Sequence, residues 1–384
     1  MRHQNSVFQD LLKLVDWQVF EGLVEEAGSD QLVRRFTSRN QLIALLFCQF
    51  EGAQSLRAVE ATMASHRARL YHAGAKVPPR STLADANRDR SSKPFSGLFE
   101  HMLAKANRAV RRKLDEEVRL IDSTSLHLAG AGANWARFSA DVCGAKAHVV
   151  YDPDAGRPVY HAVTPANVND ITPAKAMPIE AGATYVFDLG YYDYAWWAKL
   201  DQAGCRIVTR FKTNTPLNKA RDMPLPPGSG VVSDRIGFLP GRQTKSRKNP
   251  MQDAVREVTV MTDTGKQLRI LSNDLDAPAR EIADLYKRRW QIELFFRLIK
   301  QTLRITHFMG RSENAVRIQI AVALIAYLIL HMLQKITEVK HGFLELVRLV
   351  RTNLMHRKSV INLLEIQRPP RQDSRQLDLN WETS

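Results

Sequence analysis

Cysteine is scarce in this chain. Its 384 residues include three, Cys48, Cys143 and Cys205, far apart and with no CxxC pair. That excludes a zinc ribbon and a disulfide framework, and it makes a reducing cytosol the simplest setting. The sequence does not open on a signal-peptide h-region. The apolar run from Ile320 to Leu330 falls short of the roughly 18 residues a bilayer span needs, so a buried helix and no membrane partner are expected. No internal repeat is present. Acidic residues are also in the minority, 40 Asp and Glu against 55 Lys and Arg, for a net charge of +15. An excess of that size points to nucleic acid or another anionic surface.

The apolar content of 44% is that of an ordinary globular protein. The length suits two or three domains. The charge is uneven. Residues 1–64 carry a net −2, residues 65–113 a net +9 and residues 206–248 a net +8. Blocks of this kind suit a surface that tracks phosphates, although either could be a plain solvated face.

Residues 1–112 read as helical. Phe8, Leu11, Leu12 and Val15 keep a helical period, and Gln41–Phe50 is strongly apolar. Further helices are expected after Ser55 and from Ser81 or Thr82 as cap, with the break at Pro78-Pro79. The second of these carries Asn87, Arg88 and Arg90, with Lys93 beyond it, and is arranged like a helix laid on DNA. A plain helical bundle is the competing reading.

Strands follow. Glu117–Asp122 reads as a strand ending in an acid. Ala147–Tyr151 and Pro158–Val163 flank the turn Asp152–Gly156 as a hairpin. Helices are expected over Asp170–Met177 and Asp193–Ala203, and strands over Thr184–Asp188 and Cys205–Thr209. Phe211–Asp274 leaves this rhythm and reads as a β-rich insertion with a mobile basic loop, Arg242–Lys248. A buried helix over Ile318–Leu333 and a basic helical region with Arg348, Arg351, Arg357 and Lys358 close the chain. The tail after Pro369 is polar and expected to fray. The order implies an α/β mixed sheet, an antiparallel hairpin with parallel strands beside it.

Tyr286–Lys300 reads as one helix, starting near Ala277 or Pro278 and free of Gly and Pro. Tyr286, Arg289, Glu293, Arg297 and Lys300 recur at helical spacing and share a face. Ile292, Phe295, Leu298 and Ile299 are expected to pack on a core. One carboxylate among bases suits a cation meeting phosphates. A surface helix tied by Arg289–Glu293–Arg297 ion pairs is the plainer alternative.

Asp122 and Asp188 both fall where strands are expected to end. On neighbouring strands their carboxylates meet, and Glu293 can reach them. Three carboxylates with no Cys/His cluster suit Mg²⁺ or Mn²⁺, as two ions about 3.5–4 Å apart acting on a phosphodiester. Each acid also has a structural role open to it, Asp122 as a cap and Asp188 in an Asp-x-Gly turn. Asp170 and Asp193 are the competing acids. His127, His148 and His161 lie on apolar strand-like segments and read as structural.

The spacing Tyr286-x2-Arg289-x3-Glu293-x6-Lys300 resembles the signature around the last catalytic acid of the insertion-sequence-four type of bacterial DDE transposase. Ile-Asp122-Ser-Thr and Val-Phe-Asp188-Leu-Gly190-Tyr191 resemble the two earlier catalytic segments. The resemblance implies an RNase H-like mixed sheet with a β-rich insertion, preceded by an all-helical N-terminal domain and followed by C-terminal helices. The expected domains are 1–112 (helical, DNA-binding), 113–210 and 275–335 (catalytic), 211–274 (insertion) and 336–384 (C-terminal helices and tail).

The implied activity is metal-dependent cut-and-paste transposition: end binding, phosphodiester cleavage and strand transfer. The implied catalytic and metal-binding residues are Asp122, Asp188 and Glu293. Tyr286, Arg289 and Lys300 are implied to position DNA, with Arg297 a lesser candidate. Double-stranded DNA is the implied partner, with a homodimer on it, in the bacterial cytoplasm. Relatives pass through a DNA hairpin and flip a base out, some stacking it on an insertion Trp. No Trp lies between Trp197 and Trp290 here, which leaves Phe211, Phe238 or Met261 as substitutes. A nuclease without strand transfer and an inactive DNA binder are the alternatives.

Overall fold

A computed structural model of the chain describes residues 5–365 apart from 111–116, 129–132, 138–141, 226–227, 229, 263, 304–307 and 338–341. The expected tail after Pro369 lies outside the described residues.

The N-terminal region is helical as expected: α1 (Val7–Leu12), α2 (Trp17–Glu26), α3 (Ser38–Glu51), α4 (Leu56–Ser65), α5 (Arg67–Leu70), α6 (Arg80–Asp89) and α7 (Lys93–Val110). Caps explain several starts. Ser6, Asp16, Thr37 and Ser55 each accept a backbone N–H from the first turn of their helix. α6 starts one residue before Ser81, with Pro79 as its cap instead of Ser81 or Thr82. α3 is buried nearly all round, which its continuous apolar run demands.

The strands are β1 (Val118–Leu128), β2 (Cys143–Asp152), β3 (Arg157–Pro165), β4 (Thr184–Phe187), β5 (Arg206–Arg210), β6 (Asn218–Asp222), β7 (Val231–Phe238), β8 (Arg242–Thr244), β9 (Arg247–Lys248), β10 (Val255–Met261) and β11 (Gln267–Ser272). Helices α8 (Ile171–Ala176) and α9 (Tyr194–Gln202) connect β3 to β4 and β4 to β5. The chain closes with α10 (Ala279–Arg288), α11 (Trp290–Thr302), α12 (Glu313–Thr337), α13 (Phe343–Asn353) and α14 (Val360–Glu365).

Nine strands form one sheet in the order β3-β2-β1-β4-β5-β11-β10-β7-β6. β1, β4 and β5 run parallel, and β2 is antiparallel to both of its neighbours, β1 and β3. That first half is the RNase H-like arrangement. The β-rich segment expected as an insertion is joined to it. β11 pairs with β5, through Ile270 with Arg210 and Ser272 with Val208, so residues 211–274 extend the main sheet. A bare β5 edge would leave a row of backbone groups unpaired. The basic segment Arg242–Lys248 folds as the β8–β9 hairpin.

Successive residues of the central strands face opposite layers. Leu120, Val186, Val208 and Ile270 pack beneath α10, α11, α12 and the N-terminal helices. Ile121, Phe187, Ile207 and Leu271 pack against α8 and α9, where Trp196, Trp197 and Leu200 fill the layer. α12 is the central helix and is longer than its apolar run. It is long and apolar enough to cross a bilayer, but 83% of that stretch is buried inside the protein.

In the helix expected to lie on DNA, the face carrying Asn87 is turned inward. Asn87 is 1% exposed and accepts from Gln41 Nε2 at 2.8 Å, while Arg90 Nη1 donates to Gln41 Oε1 at 3.0 Å. Arg88 faces outward, paired with Asp85 and Asp89. Propensity located this helix, but the polar network with α3 decided its face.

Candidate active site

Asp122 does not end its strand. β1 continues to Leu128 because β2 pairs with it antiparallel as far as Cys143. The parallel pairing with β4 stops earlier, at Leu120 with Val186. Asp122 therefore sits where β1 loses its β4 neighbour, with its side chain 16% exposed. Asp188 follows β4 directly. Its Oδ1 accepts the Gly190 N–H at 2.8 Å, so the Asp-x-Gly turn is formed as well. The register carried two residues past Leu120 and Val186 sets Asp122 and Asp188 side by side on one face.

The expected single helix over Tyr286–Lys300 is two, α10 and α11, divided at Arg289. Three-residue bonds tighten the joint: Arg289 N–H to Tyr286 O at 3.1 Å and Ile292 N–H to Arg289 O at 3.2 Å. The backbone stays right-handed there, so the shared face survives. Ile292, Phe295 and Ile299 are buried beneath it, and Leu298 packs partly against the same core.

Arg289 is the hub of the site. Its Nη1 donates to Asp122 Oδ2 at 3.3 Å, and its Nη2 donates to Glu293 Oε1. Its guanidinium also stands 5.9 Å from the Tyr286 ring. Of the alternative ion-pair ladder, Arg289 and Glu293 are paired, while Arg297 stacks over Trp290 at 5.7 Å. Lys300 is half-buried one turn further on, and burial lowers its pKa.

Burial pushes the Asp122 carboxyl up to about 6, against the Ser123 N–H and Arg289; Asp188 and Glu293 add repulsion. Tyr286 is raised by burial, with Asp188 and Arg210 among its charged neighbours.

Of the competing acids, Asp170 is a neighbour of this site and Asp193 is engaged elsewhere. Asp170 Oδ1 accepts from Ser123 Oγ at 2.9 Å and from Lys146 Nζ at 3.0 Å. A Cβ on Gly190 would lie 3.0 Å from Asp188 Oδ1 and 3.1 Å from Asp170 Oδ2, so both carboxylates crowd that glycine. Asp193 caps α9 and pairs with Lys175 at 2.7 Å. His148 Nε2 meets Thr164 Oγ1 at 2.8 Å, His161 packs edge-on against Phe99 at 4.8 Å, and His127 is exposed.

Among the described residues, no three acidic, histidine or cysteine side chains already converge at ligand spacing. Arg289 stands between Asp122 and Glu293 instead. The donor set still fits a hard divalent cation, being all carboxylate oxygen with a counter-charge on a flexible side chain. Sequence reasoning stopped β5 at Thr209 and so missed Arg210, the last residue of that strand.

Beside Arg289, a cavity of about 310 Å³ opens between β10, β11 and the two helices, lined by Met261, Leu268, Tyr286 and Trp290 among others. Of the expected base-stacking substitutes, Phe211 is buried beneath Arg269, and Phe238 and Met261 are exposed.

The sheet order, with β1, β4 and β5 parallel at its centre, is that of an RNase H-like fold. Residues 113–329, more than half the chain, match the transposase DDE domain family, and the chain belongs to it. Residues 3–76 match a domain of unknown function. A Sinorhizobium fredii protein named as a transposase is 38% identical over 293 residues, 76% of this chain and 81% of that one. A Geobacillus stearothermophilus protein, named as a transposase for insertion sequence element IS5377, is 27% identical over 88% of each chain. A Synechocystis protein named for insertion sequence element IS4SA is 27% identical over 47% of this chain and 49% of its own. The family's activity is DNA cleavage and transposition, with divalent metal ions.

Proposed function

We propose that this chain excises and inserts an insertion sequence of the insertion-sequence-four type, with Asp122, Asp188 and Glu293 as its catalytic carboxylates. The observation that carries the reading is Arg289, which reaches back 167 residues to Asp122 of β1 and also binds Glu293 of α11. Two acids on adjacent parallel strands, where their pairing ends, and a third on a facing helix can surround a phosphodiester. The three carboxylates would hold Mg²⁺ or Mn²⁺, two ions in this reading, which would supply an activated oxygen nucleophile and charge neutralisation.

The chain's own residues do the rest. Asp122, lifted by burial, must lose its proton to act as a ligand. Arg289 would pass from the carboxylates to a DNA phosphate, with Tyr286 and Lys300 beside it and Arg297 at the rim. Trp290 and Met261 offer an apolar cavity where an extruded base could rest, so the Trp would come from the helix instead of the β segment.

The N-terminal helices and residues 211–274 would grip the element ends, and 275–335 would complete the catalytic domain. Residues 336–384 would form the C-terminal region. Two ends must be joined, so a homodimer on double-stranded DNA in the bacterial cytoplasm is the working assembly.

The test uses the DNA flanking the gene as substrate. With Mg²⁺, wild-type protein should cut at the element boundary and join the ends to a target. Glu293→Gln should bind the same DNA and cut it at least about 100-fold more slowly. Unchanged cutting by Glu293→Gln would overturn the assignment.

A further inference from the structure

The chain that follows Asp188 is held by a side chain from outside its own sheet. It leaves β4 at Phe187, makes one tight turn over Leu189–Tyr191 and enters α9 at Tyr194. Trp197 Nε1 donates to Tyr191 O at 3.0 Å, and Asp193 accepts the Trp196 N–H at 2.9 Å. The Tyr194 N–H lies in the first turn of α9, where a helix has no acceptor of its own to offer. Gln243 supplies one. Its Oε1 accepts the Tyr194 N–H at 3.0 Å, and its Nε2 donates to Tyr192 O at 2.7 Å. A primary amide meets a donor and an acceptor at once, as a neighbouring strand would.

Gln243 belongs to β8, in the small β8–β9 sheet rather than the nine-stranded one. Asn249, 5% exposed, fixes the base of that hairpin. Its N–H donates to Gly241 O and its Nδ2 to Pro240 O, both at 3.0 Å, and its Oδ1 accepts the Met251 N–H at 2.9 Å. A second tie runs beside Gln243: Arg247 Nη1 stands 3.6 Å from Asp193 Oδ2, which also takes Lys175 Nζ at 2.7 Å. Arg242, Thr244 and Lys245 face solvent, while Gln243 between them is half-buried. The hairpin thus turns one neutral amide inward, onto the backbone that leads away from Asp188.

We propose that Gln243 is a positioning residue for Asp188: through residues 192–194 it fixes the turn that aims the carboxylate, and so sets how tightly the site holds its divalent cation. This rests on the reading of Asp188 as a metal ligand given above. Asp188 Oδ1 is tied to the Gly190 N–H inside the same turn at 2.8 Å, so a turn that swings carries the carboxylate with it. The upstream end is set by the sheet, where Phe187 pairs with Thr209. The downstream end needs Gln243. Groups that orient a metal ligand from behind change metal affinity by about 10–100-fold when removed.

The test is Mn²⁺ titration of the full chain, read from the paramagnetic signal of the free ion, with wild type, Gln243→Ala, Gln243→Glu, Thr244→Ala and Asp188→Asn. Gln243→Ala should bind Mn²⁺ about tenfold more weakly, and Thr244→Ala, on the same hairpin, should match wild type. Gln243→Glu keeps the Tyr194 bond but sets an oxygen against Tyr192 O. It should weaken Mn²⁺ binding by about as much, and it decides the matter if the alanine variant fails to fold. Cutting of end DNA by Gln243→Ala should be slow at limiting Mn²⁺ and return to within about threefold of wild type at excess Mn²⁺, which a damaged fold would not allow. Mn²⁺ affinity within about twofold of wild type in both Gln243 variants, with Asp188→Asn weakened, overturns the proposal and spares the carboxylate assignment. An equal loss in Thr244→Ala overturns it too, because the hairpin as a whole is then at fault. Unchanged Mn²⁺ binding by Asp188→Asn sinks the carboxylate assignment itself, and the role of Gln243 falls with it.

Discussion

Arg289 and Glu293 are joined one helical turn apart, Nη2 to Oε1, at the point where α10 gives way to α11. The same guanidinium reaches Asp122 at 3.3 Å. Without it, two carboxylates would face each other with no counter-charge. Arg289→Gln should lower stability by roughly 1–3 kcal/mol in the absence of divalent metal. Mn²⁺ should then raise its unfolding midpoint more than it raises that of wild type, because the metal replaces the lost cation. Thermal unfolding with Mn²⁺ and with chelator measures both. If Mn²⁺ stabilises neither protein, the cation does not bind at these carboxylates.

Gly190 leaves room for Asp188 and Asp170. Gly190→Ala places a methyl 3.0 Å from one carboxylate oxygen and 3.1 Å from the other. The backbone there needs no glycine conformation, so the effect should fall on the site and not on the fold. Asp188 should shift by a few tenths of an ångström, slowing cleavage about tenfold or more. Unfolding should be nearly unchanged. A fully active variant would show that the position of Asp188 does not limit the reaction.

Asp170 should behave differently from Asp188. Its Oδ1 is already taken by Ser123 and Lys146. Asp170→Asn keeps an acceptor for Ser123 and should retain measurable cleavage, whereas Asp188→Asn should lose about 100-fold or more. Equal losses in the two variants would promote Asp170 to the ligand set. Cleavage rates at several Mg²⁺ concentrations make the comparison.

Two histidines predict an acid-sensitive fold. Burial lowers His148 and His161 to about 4; Lys146 lowers the first further, Asp170 opposes it, and Arg317 lowers the second. The unfolded chain binds these protons near pH 6.5 and the folded chain does not. Their contribution to stability is complete above about 6.5 and is lost as pH falls toward about 4. Between those limits the slope can reach about 3 kcal/mol per pH unit. Urea unfolding at pH 7 and pH 5 reads it, and His161→Gln should remove about one proton's share. A pH-independent stability would mean that both rings titrate normally.

Asn87 separates structure from DNA reading. Asn87→Ala orphans Gln41 Nε2 inside the helical bundle and should cost roughly 1–3 kcal/mol. DNA affinity per folded molecule should not change. A loss of affinity in a stably folded variant would return α6 to the DNA surface.

Much of the fold was legible because it depends on near neighbours in sequence. The apolar run of α3, the Asp152–Gly156 turn, the caps at Ser55 and Asp193 and the acids near strand ends are all local patterns. The shared face of Tyr286, Arg289, Glu293 and Lys300 follows from helical geometry, and it outlasts the division at Arg289. What the chain could not announce locally is pairing between distant segments. Asp122 sits at a notch because β2 runs past it and β4 stops short. Residues 211–274 join the main sheet because β11 covers the edge of β5. Asn87 turned inward because Gln41, 46 residues away, met it there. Arg210 came level with Asp188 only through the parallel register of β4 and β5. Register and burial arise from long-range packing, and residue patterns along one segment do not encode which partner that segment will find.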